Sequence, residues 1–277
     1  MNGISIIVTA YNTQDYIEEC LDSIYAQTWF SSHKNYEVLL GIDHCEETLK
    51  KVKSIMSKYS NIQVIYMDKN YGTYITSNTL ISMAKYDWIL RFDSDDIMKN
   101  DMVQSVFDFL EVETKTDIIR FYCKDFISLN KPKKKIILAH GVLCINKSVF
   151  KKYGAFMPWI CAADSELLCR LKNKVNIQNL RKILFLRRRH DSSLTLDKKT
   201  GLDSDIRKKY REYIKENTPN NTVIETQCGN YTIIDENENI DVIACNIEDN
   251  ESIVESRIVV PVSKKVFLKS KHTYNGI

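Results

Sequence analysis

This 277-residue chain has no Cys-x-x-Cys pair, no Gly-x-Gly-x-x-Gly after a strand and no Gly-rich loop closed by Lys-Ser or Lys-Thr. Nor does it contain a run approaching the roughly 18 apolar residues that a membrane span needs. Each absence removes a class. The eight cysteines, at Cys20, Cys45, Cys123, Cys144, Cys161, Cys169, Cys228 and Cys245, lack metal-site spacing, and a chain this long needs no disulfide staples. Without the glycine fingerprints, any bound nucleotide depends on carboxylates and a metal rather than on a glycine nest. A formal net charge of only +3 gives no support for a nucleic-acid partner. Met1-Asn2-Gly3 runs into a strand with no basic leader, so a cytoplasmic protein with buried thiols is the expectation.

What is present is a soluble α/β pattern, with 44% hydrophobic and 27% charged residues. Ile4 to Ala10 is β-branched and uncharged, a central strand, followed by a turn at Tyr11-Asn12-Thr13 and a helix from about Asp15 to Gln27. Tyr36 to Asp43 is a second strand, and Leu49, Val52, Ile55 and Tyr59 form the inner stripe of the next helix. Ile62 to Met67 is a third strand leaving through Asp68 to Gly72, before a helix over Thr76 to Lys85. A fourth apolar run, from Trp88 to Phe92, ends in Asp93, Asp95 and Asp96. Alternating strands and helices predict a mostly parallel sheet flanked by helices, whose ligands sit beyond the strands' carboxyl ends. Three of the four strand ends carry Asn12, Asp43 or the Asp93 cluster, a placement that fold stability does not require.

Carboxylates crowded at one strand end repel unless a cation or a hydrogen-bond network offsets them. Hard oxygen ligands in that place suit Mg²⁺ or Mn²⁺, particularly with phosphate supplying further ligands. The plainer alternative is a solvated acidic turn capping a helix that starts near Lys99. Beyond it lie a strand at Asp117 to Cys123, a lysine-rich hairpin tip at Lys131 to Lys135, and a strand at Ile136 to Ile145 in which Gly141 opens space. A helix begins near Ala163 with Asp164 in its first turn, and Leu180 to Arg189 leads into His190. A break at Asn217 to Asn221 divides a domain of residues 1–216 from a small β-rich extension, 217–277. Candidate strands there are Val223 to Thr226, Tyr231 to Ile234, Val242 to Cys245 and Arg257 to Val262. Acceptor recognition, homo-oligomer formation or attachment to a larger assembly are its expected roles.

Ser5 to Asn12, Cys20 to Thr28, Asp43, Asn70-Tyr71-Gly72 and Phe92 to Asp96 together resemble the family 2 glycosyltransferases of GT-A fold. The resemblance extends to Trp159 through Asp164 and to Arg187 through Ser193, covering roughly residues 3–195. It implies that Thr9, Ala10 and Tyr11 line a nucleotide pocket, that Asp43 holds the base or ribose, and that Asn70 and Gly72 lie near the nucleoside. Asp93 and Asp95 match the Asp-x-Asp motif, with Asp93 toward the ribose or a metal-bound water and Asp95 the firmest metal ligand. Asp164 matches the base that deprotonates the acceptor, His190 a position at the metal or diphosphate, and Arg188 a neighbour of that site. Three positions depart from the usual family pattern: a lone Asp43 after Ile42, His44-Cys45 after it, and Ala163 before the presumed base.

The function so implied is metal-dependent, inverting transfer of a sugar from a nucleoside diphosphate, UDP-linked by expectation, to an acceptor hydroxyl in glycan synthesis. Two alternatives stand beside it: a nucleotidyltransferase of related architecture, and a nucleotide-sugar-binding protein without turnover.

Overall fold

β-branched and aliphatic residues form the middle of a ten-stranded sheet, where both faces are covered and an uninterrupted apolar strand is stable. The computed structural model describes residues 3–127, 132–191, 193–217, 223–234 and 241–243. β1 (Ile4–Ala10) is buried along its whole length and pairs in parallel with β2 (Tyr36–Ile42) and with β4 (Trp88–Asp93). β3 (Ile62–Met67) lies parallel on the far side of β2. The crossovers are α1 (Ile17–Tyr25), α2 (Glu46–Ile55) and α3 (Thr73–Met83). α1 buries only the stripe Ile17, Cys20, Leu21 and Ile24, as its amphipathic sequence requires. α3 instead buries every residue from Tyr74 to Ile81, because protein covers it on both sides.

After β4 the chain makes the short β5 (Ile97–Met98) and α4 (Met102–Val112), then a long antiparallel hairpin of β6 (Ile118–Phe126) and β7 (Pro132–Asn146). Lys133, Lys134 and Lys135 are exposed within β7, and the hairpin turn at 128–131 lies outside the described residues. α5 (Lys147–Tyr153) and α6 (Ala163–Leu171) precede β8 (Ile177–Arg188), which pairs in parallel with β6 and antiparallel with β5. The full strand order is β10-β9-β3-β2-β1-β4-β7-β6-β8-β5, with the last two strands defined below. One apolar cluster fills the α1/α2/α4 side of the sheet, and a second fills the α3/α5/α6 side. α7 (Asp205–Asn217) has no buried residue of its own, yet Tyr210 stacks flat on Trp159 with ring centres 4.2 Å apart.

The region after residue 217 begins by returning to this sheet. β9 (Tyr231–Ile234) pairs antiparallel with β3, and β10 (Asp241–Ile243) pairs with β9. On the way, Asn78 of α3 donates to Gln227 O at 3.0 Å and Thr79 Oγ1 accepts from Gly229 N at 3.0 Å. The strand expected at Arg257 to Val262 lies outside the described residues, as does Cys245. Seven cysteines fall among those residues; Cys20, Cys45, Cys123, Cys144 and Cys161 are buried free thiols, and Cys169 is a half-buried one. Among the described residues no helix is long and apolar enough to cross a membrane.

Candidate active site

β4 brings Asp93 to the carboxyl end of the sheet, and the next three residues turn sharply into β5, with Asp96 N donating to Asp93 O at 3.2 Å. The three carboxylates of this turn are separated by giving each its own partner. Asp93 Oδ1 pairs with Arg91 Nη1 at 2.8 Å, and Asp95 Oδ2 lies 2.8 Å from His190 Nε2. Asp96 is buried, and its Oδ1 accepts from Arg188 N at 2.8 Å. Its Oδ2 has no hydrogen-bond partner among the described residues. Burial, reinforced by the charges of Asp95 and Asp93, holds the Asp96 carboxyl well above the usual range.

Arg91 lies under this turn and ties it to the rest of the site. Its Nη1 also donates to Gly141 O at 2.8 Å, its Nη2 to Thr73 Oγ1 at 3.0 Å and its Nε to Ser77 Oγ at 3.2 Å. Thr73 Oγ1 in turn lies 2.7 Å from Thr9 Oγ1, so β1, α3, β4 and β7 meet at one guanidinium. Asp93, by contrast, keeps 36% of its side chain exposed.

Across from Asp93, the left-handed backbone of Ala162 (φ +65°) starts α6, and Asp164 sits in its first turn. Asp164 Oδ1 accepts from its neighbour Ser165 N at 2.8 Å and from the buried Tyr74 hydroxyl at 3.0 Å. Gly141 lies close to both carboxylates. A Cβ there would stand 3.6 Å from Asp93 Oδ2, 3.6 Å from Asp164 Oδ2 and 3.3 Å from Arg91 Nη1. Thus the structure brings Asp93 Oδ2 and Asp164 Oδ2 to one gap over Gly141, each at ordinary contact distance from a side chain placed there.

On the β1–β3 side the expected nucleotide residues are placed unevenly. The Thr9 side chain reaches the Arg91 network, Ala10 packs into the core on the opposite face, and Tyr11 is 53% exposed. Asp43 is buried, and both its oxygens are occupied: Oδ1 accepts from Tyr71 N and Oδ2 from Gly72 N, each at 2.8 Å. Burial pushes this carboxyl up while the two backbone donors pull it down. Asp43 therefore shapes the turn that starts α3. Gly72 holds φ +85° there, a backbone that side chains rarely adopt, and Asn70 is exposed.

The resemblance sets Arg188 beside a diphosphate. In the structure its guanidinium is already engaged: Nε donates to Asp95 O at 2.9 Å and Nη2 pairs with Glu19. The rings of Tyr16 and Phe126 sandwich it, at 4.7 and 4.6 Å. Arg188 braces the aspartate turn through Asp95 O and Asp96 Oδ1, while His190 reaches the Asp95 carboxylate.

Residues 5–162 match the model of glycosyl transferase family 2. This chain belongs to that family. Among relatives, it is 29% identical over 117 residues to the glycosyltransferase GlyG of Streptococcus pneumoniae, covering 42% of this chain and 37% of that protein. It is 33% identical over 117 residues to the poly(ribitol-phosphate) beta-glucosyltransferase of Bacillus spizizenii, covering 42% of this chain and 18% of that one. The chain thus spans well under half the length of these relatives. Its fold is similar to that of S. aureus TarS residues 1–349, solved in complex with UDP, at TM-score 0.58 and 19% identity, over 79% of this chain and 71% of the other. The mannosyltransferase PcManGT of Pyrobaculum calidifontis, solved with GDP-Man and Mn²⁺, matches at TM-score 0.55 and 15% identity, over 66% and 56%.

For this family 2 chain, the donor set of Asp95 and His190 fits a divalent cation that takes its remaining ligands from phosphate and water. One carboxylate oxygen and one imidazole nitrogen already lie within reach of a common ion. Among the described residues no group of three His, Cys, Asp or Glu side chains forms a complete cage. Sequence reasoning missed Arg91, Thr73, Tyr74 and Tyr16. A charged residue inside the apolar run Trp88 to Phe92 was the available signal for Arg91. Tyr74 carried none, since only the fold brings it to Asp164.

Proposed function

We propose that this chain transfers a sugar from a nucleoside diphosphate donor to an acceptor hydroxyl with inversion at the anomeric carbon. The observation that carries this reading is the convergence of Asp93 and Asp164 on Gly141. In this reading Asp93 serves the donor at the strand ends and Asp164 serves the acceptor as a base, and a single displacement needs one base and one leaving group. Asp164 takes the proton from the attacking hydroxyl as the bond to the sugar forms. Tyr74 and Ser165 N fix the carboxylate's orientation, so that Oδ2 is the oxygen turned to the gap. Asp93, held by Arg91, orients the donor ribose, and Thr9 and Tyr11 border the nucleotide.

Asp95 and His190 would hold a divalent cation, Mn²⁺ or Mg²⁺, which would supply positive charge at the departing diphosphate. UDP-linked sugars are the proposed donors, in keeping with the UDP complex of TarS. Arg188 is a positioning residue in this scheme, because it holds Asp95 O and the backbone that carries His190. Retention of the base argues against a binding protein without turnover. The absent Gly-rich basic loop argues against a nucleotidyltransferase.

The test is a donor panel. Each common nucleotide sugar is incubated with the chain and Mn²⁺ or Mg²⁺, and release of nucleoside diphosphate is followed. One metal-dependent hit is expected, and Asp164→Asn is expected to keep donor affinity while lowering transfer about 10²- to 10⁴-fold. Silence across the panel together with no nucleotide binding by calorimetry overturns the reading, and near-normal transfer by Asp164→Asn overturns the base.

A further inference from the structure

Arg91 and Arg120 occupy one cross-strand row of the sheet. Arg91 of β4 pairs in register with Leu143 of β7, and Leu143 pairs with Arg120 of β6. Residues in one row share a face, so both arginines project to the α3/α6 side, two strand spacings or roughly 9–10 Å apart. Arg91 is saturated with partners. Arg120 is not: its Nε is buried with no hydrogen-bond partner among the described residues, and its Nη2 makes one long bond, 3.4 Å, to Ala139 O. Beside it, His140 Nδ1 lies 3.4 Å from Ser165 Oγ, next to the proposed base.

We propose that Arg120, with the His140 imidazole and the Ser165 hydroxyl, forms a subsite for an anionic group on the acceptor, a phosphodiester or a carboxylate close to the reacting hydroxyl. The proposal rests on the reading that Asp164 faces the acceptor. The half-buried guanidinium makes a single long hydrogen bond, from Nη2, and its planar fork suits a phosphate or carboxylate. Burial pulls Arg120 below its ordinary range, as an under-compensated charge requires, with Asp164 and Tyr122 acting in the opposite direction. Burial, together with the nearby Arg120 charge, also lowers His140, leaving a neutral imidazole able to hydrogen-bond an anion at neutral pH. The position suits an acceptor that enters over β6 and β7 and presents its hydroxyl at the Gly141 gap. An anion held there fixes which hydroxyl of a repeating chain reaches Asp164.

Binding without donor tests this directly. An oligo(polyol phosphate), an oligogalacturonate and a neutral maltooligosaccharide of equal length are titrated into the full chain and followed by calorimetry. At least one anionic probe is expected to bind tenfold or more tighter than the neutral one, and its identity tells phosphodiester from carboxylate. Arg120→Gln is expected to erase that margin and His140→Gln to reduce it several-fold, with nucleotide affinity unchanged in both. Equal binding of all three probes, no binding of either anionic probe at millimolar concentration, or a margin that survives Arg120→Gln each overturn the subsite. If Arg120→Gln does not fold, the margin on the unaltered chain and its response to His140→Gln decide. Donor turnover without any anion preference removes the subsite alone. Anion preference in a chain silent in the donor panel removes the transferase reading instead.

Discussion

Two arginines are buried on the same side of the sheet, and their surroundings are opposite in kind. Arg170 of α6 is sealed on every side. Its Nε faces both oxygens of the equally buried Glu166, at 2.9 and 3.2 Å, and its other nitrogens donate to the carbonyls of Tyr153, Gly154 and Ala155. Arg91 is as deeply placed, yet its acidic partner, Asp93, is open to the groove. A closed ion pair can only hold structure together. One in which the carboxylate faces solvent leaves an oxygen for a ligand while the cation fixes where that oxygen points.

Breaking the closed pair is expected to give the largest effect on the fold. Arg170→Met strands Glu166 in the core, so urea unfolding should show a loss of about 3–5 kcal/mol, with unchanged transfer per folded molecule. The open pair should show the reverse pattern. Arg91→Lys keeps the charge but cannot span Asp93, Gly141, Thr73 and Ser77 together, and activity should fall about 10- to 100-fold. Its urea midpoint should move less than that of Arg170→Met. A variant of Arg91 that loses stability but keeps kcat would abolish the distinction. Tyr74→Phe sharpens it further. Removing one hydrogen bond to the Asp164 carboxylate should cost roughly tenfold in kcat, with KM for the donor held.

The smallest expected effect concerns Asp43, a carboxylate closed on both oxygens. Burial holds its pKa above the usual value, so the folded chain keeps the proton to higher pH than the unfolded chain does. Its contribution to stability is therefore full below the unfolded pKa and declines as pH rises through the folded one. Asp43→Asn should flatten that decline, as read from urea midpoints from about pH 4 upward.

The parallel half of the fold was legible because buried parallel strands and amphipathic helices leave different periods in the sequence. Ile4–Ala10 and Ile62–Met67 begin and end where their apolar runs do. The helix expected over Thr76 to Lys85 starts three residues earlier, at Thr73, because Gly72 and the Asp43 clamp set its first turn. Asp93, Asp95 and Asp164 were visible as carboxylates at strand and helix ends. Their pairing was not, since Gly141, Arg91 and Tyr74 join them from three separate elements. The charge of Arg188 was equally plain, but contact with Glu19, Tyr16 and Phe126 turns on neighbours more than 60 residues away in sequence. Tyr231–Ile234 reads as a strand from its β-branched residues, whereas its pairing with β3 depends on a partner early in the chain.

That last pairing has a consequence during synthesis. Met67 waits for Tyr231, about 160 residues and, at ordinary elongation rates, on the order of ten to thirty seconds of translation later. Over that interval β3 keeps an unpaired hydrogen-bonding margin. A nascent chain stalled before residue 231 would keep that margin, offering it to other stalled copies or to a chaperone, so β9 marks the point in translation at which the open side of β3 is covered.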